Sequence, residues 1–196
     1  MLYQRLLLPL VALTAISLSA CNDTETPTPK TEPAPEAEAT LNRSFHFAAL
    51  SQTVMALHPA STVQTEARLT PSALTLSIGV RPTEDHIHFT LDRSTLTAAY
   101  AGTYSLRSTA STAGAQVRYT YSRQEGTGTR YTFYDAADHA TQGELTISSY
   151  DSGRKLISGT YQVSMPGAAD PFRPLGSLST CNVTVSGRFQ NVAVQE

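Results

Sequence analysis

The sequence predicts an all-β fold, an antiparallel β-sandwich of roughly nine or ten short strands, with a closed up-and-down barrel as the alternative. Three observations predict it. From residue 63 onward apolar and polar side chains alternate in short runs, which is the period of a half-buried strand. Gly, Pro, Asp and Ser separate those runs, and no stretch sustains a helical period. The sandwich is preferred because few of the runs are apolar on both faces, and the Pro-containing stretch 165–176 can cross between sheets.

The elements follow in order. Residues 41–60 admit two readings: 44–48 as an edge strand, and 51–57 as a short helical turn before Pro59. Residues 63–69 and 74–80 flank Thr70-Pro71-Ser72 and read as neighbouring strands, the second with Leu74, Leu76, Ile78 and Val80 on one face. Residues 82–85 turn the chain into 86–91, where Ile87, Phe89 and Leu91 oppose His86, His88 and Thr90. Strands are expected at 102–107, 116–122 and 130–134, the last two joined by a hairpin around Gly126 and Gly128. Val117, Tyr119 and Tyr121 share a face that packs inward or against a neighbouring strand. A hairpin across 151–154 joins 143–150 to 155–163, and 178–185 and 188–194 are read as closing the domain across Ser186-Gly187. Gly187 is assigned a positive φ in that turn, and Gly159 a bulge. Residues 101–106 and 158–163 echo one another weakly, as two strand entries can.

The first forty residues are of another kind. Arg5 precedes an apolar run from Leu6 to Leu18, the build of a secretory signal peptide. The run is shorter than the ~20 apolar residues a spanning helix needs. It ends in Leu18-Ser19-Ala20-Cys21, which resembles the lipobox of bacterial lipoproteins. That resemblance implies cleavage after residue 20 and lipid on Cys21, where two or more acyl chains hold a protein far longer than one. Residues 21–40 carry four prolines and five acids against one lysine and lack large apolar side chains, so they read as a disordered, semi-stiff tether. Asn22 stands where enteric lipoproteins retained at the inner membrane carry Asp, which favours the outer membrane.

The remainder, residues 41–196, is one domain of ordinary size. With the tether's acids set aside it is close to neutral, so no strong field points to nucleic acid. The chain has two cysteines. With Cys21 committed to lipid, Cys181 is left without an intramolecular partner.

Candidate chemistry is sparse. His86 and His88, two apart in a strand, project from one face and could share a metal ion, but two ligands make no site. His46, His58 and His139 cannot be placed beside them from sequence, and the pair reads as solvent-facing. Asp135 with Asp138 and His139, or Asp151 with Glu144, lie at strand ends where solvating turn residues belong. Cys181 alternates with Val183 and Val185 and reads as a buried thiol rather than a nucleophile. No hydrolase elbow, metalloprotease helix or phosphate loop occurs, and no cofactor is expected. Of Tyr119, Tyr121, Tyr131, Tyr134, Tyr150 and Tyr161 most read as core or cross-strand packing, while an exposed one could anchor a glycan or protein partner. Tyr134 and Tyr150 are singled out because their parity places them with Thr132 and with Thr146 and Ser148.

The C-terminal third resembles a group of uncharacterised Bacteroidota lipoproteins, small secreted domains of unknown function. The residues that carry the resemblance run from Gly143 to Asp151, from Ile157 to Val163 and from Val183 to Phe189. It implies no catalytic residues. The expected protein is a non-enzymatic lipoprotein of the cell envelope, a binding or structural module at the outer membrane facing periplasm or cell surface. A barrel carrying a small apolar ligand is the first alternative, and an envelope hydrolase the second.

Overall fold

In the computed structural model the described residues are 33, 35–80, 85–106, 114–136, 138–174 and 178–196. The signal segment, Cys21 and most of the expected tether therefore lie outside the described residues. So do residues 82–84 of the expected turn and the end of the strand expected at 102–107.

Eleven strands are described: β1 (Glu38–Phe47), β2 (Gln52–His58), β3 (Val63–Leu69), β4 (Ala73–Val80), β5 (Asp85–Asp92), β6 (Gly102–Ser105), β7 (Ala115–Glu125), β8 (Gly128–Asp135), β9 (Gln142–Asp151), β10 (Leu156–Ala169) and β11 (Thr180–Gln195). One layer runs β2-β1-β11-β10-β9-β6 and the other β3-β4-β5-β7-β8. They join where the end of β11 pairs parallel with β3, Val194 beside Ala67. The other ladders are antiparallel. The sheet folds over on itself as a sandwich and does not close into a barrel, which corrects the alternative. A single parallel bridge, Leu106 to Ala115, lies between β6 and β7.

The interior is filled by alternate side chains of both layers. Leu74, Leu76 and Ile78 of β4, Ile87, Phe89 and Leu91 of β5, and Val117 and Tyr119 of β7 are buried as their parity predicts. Across the gap Phe89 meets Tyr161 edge to face at 5.5 Å, and Phe45 meets Tyr121 at 5.1 Å.

Several expectations change. Residues 44–48 do not form an edge strand: β1 runs from Glu38, takes in the last residues assigned to the tether, and pairs on both sides, with β11 and β2. The edge is β2, a strand where a helical turn was expected, because pairing to β1 outweighs a local preference that is weak over seven residues. β10 continues through Pro166 and Gly167 to Ala169, at a register shift that lets both residues sit in a strand. The hairpin at Ser186-Gly187 does not exist, since β11 is one strand of sixteen residues. Gly187 is needed for close approach instead. A Cβ there would meet the Thr40 carbonyl oxygen at 2.0 Å and the Tyr161 hydroxyl at 2.6 Å. The missing side chain lets Tyr161 lie across β11 and donate to the Thr40 carbonyl at 3.0 Å. Gly159 does sit at a bulge, with the Phe189 ring over it.

Candidate functional site

The alternation in β1 places Ala39, Leu41, Arg43, Phe45 and Phe47 on the inner face, and that in β5 places Asp85 inward with Ile87, Phe89 and Leu91. A charged residue thus stands at a core position in each strand, and the fold brings the two together. Arg43 Nε donates to the Asp85 carboxylate at 3.2 Å. His58, from β2, lies with Nε2 2.7 Å from the same oxygen. The Tyr119 hydroxyl, from β7, donates to the other oxygen. The Arg43 guanidinium carbon lies 4.7 Å from the ring centres of both Phe45 and Tyr121, a cation–π arrangement on two rings. Its Nη1 is buried without a hydrogen-bond partner.

A buried carboxylate is costly unless paired and hydrogen-bonded. Here it meets one guanidinium, one imidazole and one phenol from three other strands. Burial, and after it the neighbouring Asp85 charge, push the Tyr119 phenol well above its usual range, so it stays a donor. The cluster acts as a clamp, tying β1 and β2 to the facing layer. It escaped the sequence reading, which placed Asp85 in a turn, yet one signal was present: a charged side chain on the apolar parity of each strand.

His86 and His88 do share the outer face of β5. His88 Nδ1 lies 2.8 Å from the Ser77 hydroxyl, and the His86 ring rests where a Cβ on Gly79 would be. Partial burial holds both imidazoles below their usual range. His86 is lowered further by His88, and His88 by Arg118 against an opposing pull from Glu66. Among the described residues no group of three potential ligands forms. His46 contacts Thr53, His58 belongs to the clamp, and the His139 ring lies 5.9 Å from that of Tyr134.

Asp135 is paired with Arg118 at 2.7 Å, and Asp151 accepts from the amides of Gly153 and Arg154 in its turn. Glu144 and Asp151 lie opposite Gln162 and Leu156, seven residues apart along β9. Cys181 is buried, and desolvation, with a smaller contribution from Asp170, pushes its thiol up to about 12.

Tyr119, Tyr121 and Tyr161 are buried, as expected of most of the tyrosines, but Tyr134 departs from expectation. Tyr134 is fully buried, stacked on Tyr119 at 5.6 Å and donating to the Ala169 carbonyl at 3.0 Å, so it offers no binding surface. The β7 register sets it opposite Tyr119, and Tyr131 and Phe133 turn outward in its place, 52% and 61% exposed and stacked on each other. Tyr150 is half-buried against Tyr100, edge to face at 4.7 Å.

Apolar surface gathers at two further places. Phe47, Leu50, Val54 and Phe172, together with Gln52, Asp170 and Arg173, line an open cleft of about 270 Å³. It sits at the end of β1 opposite Glu38, where the described chain enters. On β2, Met55 and Leu57 point outward, 65% and 68% exposed.

Fold and site together define a mixed-sheet β-sandwich with an internal ion cluster and an open apolar cleft. Comparison with protein-family models, with curated proteins and with solved structures found no match to this chain.

Proposed function

We propose that the chain is a lipid-anchored protein of the bacterial cell envelope, akin to the Bacteroidota lipoproteins it resembles, and that its β-sandwich is a non-enzymatic binding or structural module at the outer membrane. The observation that carries this reading is Leu18-Ser19-Ala20-Cys21 at the end of the apolar run. Binding is favoured over catalysis by the use made of the polar groups. Asp85, His58 and Tyr119 satisfy one another, Asp135 neutralises Arg118, and the concave apolar surface at Phe47 and Phe172 has the small, open form of a docking cleft. The cleft lies at the end of β1 opposite Glu38.

Growth with an alkyne-tagged fatty acid tests the anchor. The wild-type chain takes up label and sediments with outer-membrane vesicles, and Cys21→Ala loses both; label retained in that variant defeats the reading. A photo-reactive residue in place of Leu50 tests the cleft. One adduct of defined mass is expected in whole cells, and no adduct would remove the cleft from the proposal.

A further inference from the structure

We propose that β2 is the contact through which two copies of this chain pair, edge to edge and antiparallel, about a two-fold axis at Met55. Among the described residues the two layers end in β2, β6, β3 and β8, of which β3 carries Glu66 and Arg68 and is joined to β11 at Ala67 and Arg68. An edge strand exposes a row of backbone donors and acceptors, and proteins that remain single blunt it with charge, proline, bulges or shortness. β8 carries Arg130 and Asp135, each in an ion pair, and β6 has only four residues. β2 has none of these defences. Its seven residues, Gln-Thr-Val-Met-Ala-Leu-His, hold no Lys, Arg, Asp, Glu or Pro, and its register with β1 is unbroken from Gln52 to His58.

The strand also suits itself as a partner. Met55 is its midpoint, so a two-fold there pairs all seven residues and closes the assembly at two copies. Met55 then faces its own copy, and Leu57 faces Thr53 of the partner subunit. The two exposed large apolar side chains of the strand, Met55 and Leu57, lie in one row with their copies across the seam, with no like charges opposed. His58 stays turned inward on Asp85, so the clamp holds β2 flat while its outer edge pairs.

The chain outside the described residues accommodates this geometry. Glu38 lies six residues along β1 from Ser44, the partner of Met55, so the two chains enter about 40 Å apart on opposite sides of the axis. The stretch from Cys21 to Glu38 can reach about 50 Å at ~3 Å per residue. Both copies can be held in one bilayer with the axis along its normal.

The test uses the full-length protein extracted in detergent. Native mass spectrometry should give twice the chain mass, and Met55→Lys, a change at an exposed site, should give one chain with an unaltered circular dichroism spectrum. Register is read by oxidation of single cysteines. Met55→Cys should link two copies, since directly opposed residues lie ~5 Å apart. Leu57→Cys alone should not, its copy being ~13 Å away, but a mixture of Leu57→Cys with Thr53→Cys should. Thr129→Cys on β8 is the control. A single-chain mass for the wild type, or equal linking at Met55, Leu57 and Thr129, overturns the proposal.

Discussion

Asp85 shows what one side chain does when it enters an apolar interior. Its carboxylate is accommodated only because the Arg43 cation, the His58 ring and the Tyr119 hydroxyl converge on it from separate strands. Asp85→Asn keeps the shape but leaves the Arg43 cation buried without its counter-charge, and removing one partner of such a pair costs about 3–5 kcal/mol. The midpoint of urea unfolding should fall accordingly, with an unchanged slope. Buried protons give a second expectation. The phenols of Tyr119, Tyr134 and Tyr161 and the thiol of Cys181 are all raised, chiefly by burial. A raised acid contributes stability that is complete below its unfolded value, about 9 for the thiol and 10 for the phenols, and is lost as pH rises through its folded value. The unfolding midpoint should therefore hold level to about pH 9 and fall steadily through pH 12, and Cys181 should react with thiol reagents only on unfolding. His86 and His88 work in the other direction, since both are lowered. What they contribute is present above their unfolded value of 6.5 and declines as pH falls below it, a loss that His86→Gln with His88→Gln should remove.

At the level of the strand, Gly187 is the most demanding position. Alanine there drives a methyl group into the Thr40 carbonyl and the Tyr161 hydroxyl, both held in paired strands. Overpacking of this kind costs ~1–3 kcal/mol, and the thermal midpoint of Gly187→Ala should drop by several degrees. β8 offers an internal control because consecutive aromatics take opposite faces. Phe133→Ser should change stability by less than about 0.5 kcal/mol, whereas Tyr134→Ala, in the core beside Tyr119, should lose about 3–5 kcal/mol. Equal effects at the two positions would mean that the β7–β8 register is wrong. The strand runs themselves were readable wherever alternation was clean, as in β4, β5 and β7. They were misread where Gly and Pro carry two meanings: Ser186-Gly187 looks like a turn, and Pro166-Gly167 like a loop, yet both lie within strands. A glycine that supplies a turn and a glycine that admits a neighbour's ring are the same letter.

At the scale of the whole sandwich, its first and last strands tie the described residues together. β11 pairs with β10, with β1 and with β3, so the last strand joins the first and links the layers. Contacts this distant in sequence slow folding, and refolding from urea should take milliseconds to seconds rather than microseconds. A chain ending before Thr180 removes the central strand of one layer and should show no cooperative unfolding transition at all. The all-β class, the inner faces of β4, β5 and β7, and the hairpins at 125–128 and 151–154 were determined by the sequence alone, because a period of two and turn chemistry are local properties. Only the tertiary structure decided that Arg43 meets Asp85, that Tyr134 rather than Phe133 is buried, that Gly187 makes room for Tyr161, and that β2 is left as an open edge. Each depends on which strand lies beside or opposite which, and that is set by the joint packing of segments as much as 150 residues apart.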